Sequence, residues 1–191
     1  METGRQKRTG AAVVIAVIAA IALAPAGPAA GKGGGGGGTD CKNAEQSVKR
    51  LSTTAARKAI LCLLNEERRR HARKPLKKHK TLQRLAQKHT KKMVATDCLS
   101  HQCPGEPSLE TRIKKSGYTK GATNFRFGED TGCGLTAKAM VANWMASRFH
   151  RINILDKDFR DLGVGFSDGR VPSRCAKGYG TFTAVFGFRR G

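Results

Sequence analysis

The chain has 191 residues, of which 39% are hydrophobic, and 36 Lys and Arg against 14 Asp and Glu give it a formal net charge of +22. This length supports one domain with its own hydrophobic core and is too short for two comfortable ones. The excess of positive charge predicts attraction to polyanions, so acidic surfaces are the expected class of partner.

The first thirty residues have the pattern of an export signal. A basic head with Arg5, Lys7 and Arg8 precedes an apolar run from Ala11 to Ala24, and small residues follow. The run is shorter than the ~20 residues that span a bilayer, which favours a cleaved signal peptide at residues 1–30 over a membrane anchor. We therefore expect a protein that is secreted or lies on the extracellular face of the cell envelope.

Residues 31–52 combine a glycine-rich stretch with a leader segment that contains Cys41. The glycines have no side chains to pack, so this stretch is predicted to be a flexible linker. We place the folded domain at residues 53–191.

Two amphipathic helices are predicted at the start of this domain. The first begins near Thr54 and carries Leu63 and Leu64 on its apolar stripe, and the second carries Leu82 on its own stripe. His89 also lies on the second stripe, and we interpret it as a core histidine rather than a ligand.

A basic segment from Arg68 to Lys92 contains no acidic residue. We predict that it binds anionic cell-wall polymer or lipid headgroups, with a non-specific polyanion binder and a plain solvated surface as alternatives. No aromatic residue lies in this segment to stack on bases, so no specific nucleic acid partner is expected. The predicted polyanion-binding residues are Arg68, Arg69, Arg70, Arg73, Lys74, Lys77, Lys78, Lys80, Arg84, Lys88, Lys91 and Lys92.

The second half of the chain is predicted to contain most of the strands. Residues 124–128, 162–166 and 182–188 have strand patterns, and Thr136 caps a helix between the first two of these. The predicted helices come first, most strands come late, and helices and strands do not alternate as in βαβ units. This order indicates an α+β fold with an antiparallel sheet.

Six cysteines behind an export signal predict a disulfide framework rather than a zinc cluster, because oxidised thiols persist outside the cytosol. The preferred pairs among the possible connectivities are Cys41–Cys62, Cys98–Cys103 and Cys133–Cys175.

Three residues are candidates for a functional site. His101 lies between Cys98 and Cys103, and Glu129 and His150 follow later in the chain. Two imidazoles and one carboxylate serve either as metal ligands or as an acid/base set, and the sequence leaves both roles open.

A series of motifs in order over residues 55–190 resembles the CAP superfamily of cysteine-rich secretory, antigen 5 and pathogenesis-related proteins, and more closely its exported bacterial SCP-like branch. The motifs are Leu63-Leu64-Asn65-Glu66-Glu67-Arg68 before Pro75-Leu76, Leu99-Ser100-His101, Gly128-Glu129-Asp130, His150-Arg151 with Asn153-Ile154-Leu155, Phe159, Gly163-Val164-Gly165 and Val185-Phe186-Gly187.

The resemblance implies an α-β-α sandwich with a central antiparallel sheet and a cleft lined by histidine and glutamate. His101 and Glu129 match cleft positions shared across the superfamily, and His150 matches a histidine of the bacterial branch. Ser147 and Thr181 stand near the places where eukaryotic members carry a second glutamate and a second histidine, so the full four-residue cluster is absent.

Three functions are consistent with this resemblance. The first is a monomeric, secreted binding module whose cleft holds a divalent metal such as zinc or a small apolar ligand. The second is a metal-dependent peptidase or esterase in which His101 and His150 hold zinc and Glu129 is the general base. If Glu129 completes the zinc ligands, no separate base remains, so no reaction is supported by an intact catalytic motif. The third is a structural cluster whose members only hydrogen-bond one another.

Overall fold

The computed structural model describes residues 40–191. The predicted signal peptide and the predicted glycine-rich linker lie outside the described residues and stay predictions. None of the described helices is both long enough and apolar enough to cross a membrane.

Five α-helices and four strands make up the described part of the chain, together with a short 3₁₀ turn at Val48–Arg50. The helices are α1 (Thr53–Arg70), α2 (Lys80–Ala95), α3 (Leu109–Lys115), α4 (Ala137–Ala146) and α5 (Arg148–Leu155). The strands are β1 (Lys77–Lys78), β2 (Asn124–Gly134), β3 (Asp161–Ser167) and β4 (Gly180–Arg190).

The four strands form one sheet in the order β1-β3-β4-β2. β4 pairs antiparallel with both β2 and β3, as expected, and the two-residue β1 adds a short parallel edge beside β3. The α+β fold class is therefore confirmed, with one small parallel pairing that the sequence pattern did not indicate.

The helices cover both faces of the sheet. Phe182 and Phe186 of β4 belong to a core with α1, α4 and α5, whereas the intervening Val185 packs with Leu82 of α2 and Ile113 of α3. Because successive side chains of a strand point to opposite faces, this alternation produces the three layers of an α-β-α sandwich.

α2 packs unusually close to β3 because two glycines face it. A Cβ atom at Gly163 would overlap the backbone of Leu82, and one at Gly165 would overlap the backbone of Ala86. The absence of side chains at these two positions lets the helix backbone approach the strand directly.

The three preferred disulfides are confirmed, with Cα atoms 5.6, 5.8 and 5.9 Å apart in chain order. Cys41–Cys62 ties the leader to α1, and Val48 of that leader is fully buried in the core. The leader thus packs as part of the domain. The Cys98–Cys103 bond closes the loop that contains His101.

Arg68 is wrongly placed among the polyanion-binding residues, because its side chain is buried. Its guanidinium donates hydrogen bonds to four backbone carbonyls, those of Lys74, Ile154, Asp156 and Phe159, at 2.6–3.1 Å. Burial lowers the pKa of Arg68 to about 10, so the group stays charged at neutral pH. Its charge holds the chain around the ends of α1 and α5 together and cannot reach a polymer.

We predict that Arg68→Lys lowers the free energy of unfolding by about 2–4 kcal/mol. The four carbonyls are arranged around a planar guanidinium, and the single ammonium of lysine cannot bond to all of them. The neighbouring Arg69 is exposed, so Arg69→Lys is the matched control and should change stability by less than about 0.5 kcal/mol. Urea unfolding of both variants checks this. Equal midpoints for the two variants would contradict this structural role of Arg68.

Candidate functional site

The site is built around Glu129, a carboxylate buried in the middle of β2. Arg112 of α3 donates from its two terminal nitrogens to the two carboxylate oxygens, at 3.2 and 3.3 Å. His101 Nδ1 lies 3.1 Å from Oε1, and His89 Nε2 lies 3.7 Å from the same oxygen. Burial alone would raise the pKa of Glu129, but these three neighbours outweigh it and hold the pKa below its ordinary value. Glu129 is therefore an ionised carboxylate.

His101 connects this buried carboxylate to solvent. Its side chain is 58% exposed although Nδ1 is hydrogen-bonded to Glu129, so Nδ1 carries the proton of the neutral ring and Nε2 keeps its lone pair. The hydrogen bond to Glu129 raises the pKa of His101. Nε2 has no hydrogen-bond partner among residues 40–191, which leaves it free for a ligand.

His150 lies near the beginning of α5 and is half-buried. Burial lowers its pKa, and repulsion from the nearby charge of His101 lowers it further. His150 is therefore a neutral imidazole at pH 7. It makes no hydrogen bond to Glu129.

The structure thus brings His101 and Glu129 into contact and places His150 within electrostatic reach of His101. The ligand atoms of the three do not all lie within 4.8 Å of one another. In the described part of the chain only Cys41, Cys62 and Glu66 come that close as a set, and the two cysteines are joined in a disulfide, so they offer no thiolate to a metal.

His89 is a core histidine, as expected, but it also belongs to the charged cluster. Its Nδ1 lies 2.7 Å from Glu106 Oε2 and its Nε2 lies 2.9 Å from the carbonyl oxygen of Ser100. Both nitrogens thus face oxygen acceptors, and the ring joins Glu106 to the loop that carries Ser100. The electrostatic effect of His89 also lowers the pKa of Glu129.

Arg112 is the functional residue that the sequence interpretation missed. Besides holding Glu129, it donates to the carbonyl oxygen of His101 and so fixes the histidine loop. Its position in the sequence indicates an inward-facing side chain, because Leu109, Arg112 and Ile113 share one face of a helix at i, i+3 and i+4 spacing. A charged residue on an inward stripe needs a buried partner.

Asp130 faces the opposite side of β2, as the alternation of a strand requires. Its Oδ1 accepts a hydrogen bond of 2.7 Å from Asn153, whereas Oδ2 is buried and has no partner within the described residues. Burial raises the pKa of Asp130 to about 8, against a smaller lowering by the bond from Asn153. The side chain is therefore a neutral acid at pH 7.

Comparisons with known proteins agree with the fold described above. The cysteine-rich secretory protein family, CAP, matches residues 61–186. The chain is 32% identical over 117 residues to Uncharacterized protein YkwD of Bacillus subtilis (strain 168), and the match covers 60% of this chain and 44% of that protein.

Two solved structures are similar in fold. One is an extracellular protein containing a SCP domain from Bacillus anthracis str. Ames, with a TM-score of 0.60 and 25% identity over 72% of this chain and 41% of that one. The other is an outer surface protein from Borrelia burgdorferi, with a TM-score of 0.60 and 19% identity over 73% of this chain and 97% of that one. The chain spans less than half the length of the two Bacillus relatives.

We predict that Asp130→Asn stabilises the protein in a pH-dependent way. Between about pH 4 and pH 8 the unfolded carboxyl is ionised while the folded one keeps its proton, so the parent loses stability as the pH rises through this window. Asparagine carries no such proton. The variant should match the parent near pH 4 and exceed it at pH 8 by an amount on the order of a few kcal/mol.

Urea unfolding between pH 4 and pH 9 measures this difference. Asp158→Asn is the control, because Asp158 is partly exposed and paired with Arg126, and its variant should gain no stability at high pH. A constant difference between Asp130→Asn and the parent at every pH would contradict a neutral Asp130.

Proposed function

This chain belongs to the cysteine-rich secretory protein family, CAP, and on that basis we propose that it is an extracellular binding module whose cleft holds a divalent metal weakly. The metal would be bound through His101 and His150, and the basic surface would retain the protein at the cell envelope.

The observation that carries this proposal is the bond between His101 Nδ1 and the buried Glu129. A carboxylate on one ring nitrogen fixes the tautomer and orients the other nitrogen, which is the usual arrangement behind a metal-binding histidine. Glu129 would then orient His101 through this hydrogen bond and would not ligate the metal itself. This role fits its two bonds to Arg112, which already occupy both carboxylate oxygens.

His150 supports the proposal as the second imidazole. Its lowered pKa keeps the ring neutral at pH 7, and only the neutral ring has a lone pair for a metal. Two imidazoles fill half of a tetrahedral zinc shell and leave the other positions to water or a ligand. This incomplete set favours micromolar rather than structural affinity.

The same contacts argue against hydrolysis. A general base works best when its pKa lies near the operating pH, whereas the neighbours of Glu129 hold its pKa below the ordinary value. Its oxygens are also hydrogen-bonded to a guanidinium and an imidazole, which leaves it poorly placed to take a proton from water. The geometry therefore favours a binding site.

Two observations support a place at the cell envelope. The Bacillus anthracis relative is described as extracellular and the Borrelia burgdorferi relative as an outer surface protein. Apart from Arg68, the lysines and arginines of the basic segment are at least partly exposed, so their charges are available to anionic wall polymer or lipid headgroups.

We predict that the protein binds zinc with micromolar affinity and that His101→Ala and His150→Ala each weaken binding at least tenfold. The affinity of the parent should fall as the pH drops, because protons compete first for the lone pair of His101, whose pKa is raised, and at lower pH for that of His150, whose pKa is lowered. Glu129→Gln should weaken binding by about 10–100-fold through loss of the orienting carboxylate. Titration calorimetry at pH 7.5 and pH 6 measures these changes.

The exposed His71 provides the control, and His71→Ala should bind zinc as the parent does. Equal heats for the parent, His101→Ala and His150→Ala would remove the metal from the proposal. Zinc-dependent peptidase or esterase turnover that both variants lose would replace the binding module with a hydrolase.

We also predict that retention on anionic polymer or vesicles depends on the position of the charges and weakens with salt. Reversing Arg69, Lys74, Lys77 and Lys78 to glutamate should lower retention at 50 mM salt more than reversing four exposed bases outside the segment. The control set is Lys42, Lys120, Lys157 and Arg190, which are all exposed. Equal losses for the two sets would mean that only the net charge matters.

A further inference from the structure

A pocket separate from the histidine cleft opens between α2 and α3. Its volume is about 310 Å³, and both helices and the loop before α3 contribute to its walls. Neither the sequence motifs nor the proposed function assigns it a role. Its lining includes Arg84 and Lys88 of α2, Arg112 and Lys115 of α3, and the apolar Leu85 and Pro107.

The charge of this lining is strongly positive. Four cationic side chains face one carboxylate, Glu106. That carboxylate is already engaged, because its Oε2 bonds His89 and its Oε1 lies 3.8 Å from Arg112 Nε. The charges of the other three bases, Arg84, Lys88 and Lys115, therefore remain available to an anion.

Arg112 adds a second, independent observation. Its side chain is only 9% exposed, and its Nε is a buried donor without a hydrogen-bond partner in residues 40–191. Buried donors of this kind are rare, because leaving a hydrogen bond unmade in a protein interior is costly. Glu106 Oε1, 3.8 Å from Nε, is too far away to accept a hydrogen bond, so Arg112 adds its positive charge to the potential of the pocket wall.

The shape and chemistry of the lining indicate which anion fits. Arginine and lysine together are typical of phosphate recognition, with the guanidinium binding as a fork and the ammonium as a point charge. The hydroxyl of Thr81 lies 3.4 Å from the Arg84 guanidinium at the pocket wall and adds a further polar group. Leu85 and Pro107 offer apolar contact to the organic part of an ester.

We propose that this pocket binds a phosphate ester: the phosphate group enters among Arg84, Lys88, Lys115 and Arg112, and the organic part rests on Leu85 and Pro107. The proposal deepens the polyanion-binding part of the proposed function, and in that respect rests on it. It names phosphate as the recognised group and one recessed site as the place. A phosphodiester wall polymer and a phospholipid headgroup carry the same group.

The test compares two double variants that have the same net charge. Arg84→Gln with Lys115→Gln removes two bases of the pocket, whereas Lys91→Gln with Lys114→Gln removes two exposed bases on the same helices outside it. Titration with glycerol 3-phosphate at 150 mM salt should show binding to the parent, at least a tenfold loss in the pocket variant and less than a twofold loss in the control variant. Equal affinities in the two variants, or no binding to the parent, would overturn the proposal.

Two further probes distinguish the source of the phosphate. Retention of the same proteins is measured on poly(glycerol phosphate) and on phosphatidylglycerol vesicles. A selective loss by the pocket variant on either support favours the site and identifies that support as the source. If the parent is retained on both supports but the two variants lose retention equally on each, the pocket fails while general polyanion binding stands. If the parent binds glycerol 3-phosphate but is retained on neither support, the envelope role fails while the pocket stands.

Discussion

The buried carboxylate of Glu129 determines much of the architecture around the cleft. An ionised carboxylate in a protein interior is stable only when charges and hydrogen bonds replace its water. Arg112, His101 and His89 supply these from α3, the disulfide loop and α2. Each partner is itself held by a further contact, such as the bond from His89 to Glu106. The need to compensate one charge therefore links two helices and a loop to β2, a strand at the edge of the sheet.

Arg68 is a buried cation, and like the buried carboxylate of Glu129 it needs partners that replace its water. In the sequence it looks like Arg69 and Arg70, yet its guanidinium is buried on four carbonyls while theirs remain partly or fully exposed. The difference was present in the pattern, because Arg68 follows Leu64 by four residues and so continues the apolar stripe of α1. In a run of basic residues on a helix, those that face the core must therefore be separated from those that face solvent before a binding function is assigned to the run.

The fold and the disulfides could be predicted because they depend on patterns that a sequence carries locally: apolar periodicity, strand order and paired cysteines. The meeting of His101 with Glu129 came from the resemblance, since no local pattern joins residues 28 positions apart. The neutral state of Asp130 could not be predicted from the sequence, for a different reason. It depends on burial, which outweighs the opposing effect of the bond from Asn153, and neither is visible in the residues around Asp130.

Arg112 stands at the boundary between the two sites, and this position has an electrostatic consequence. Its charge lowers the pKa of His101 and so partly offsets the raising effect of Glu129. An anion in the proposed pocket would screen that charge and so favour a cation at Nε2 of His101, a divalent metal ion more than a proton. By reciprocity, a metal in the cleft would then strengthen the binding of the anion. Arg112 would in this way couple the two proposed sites with a positive sign.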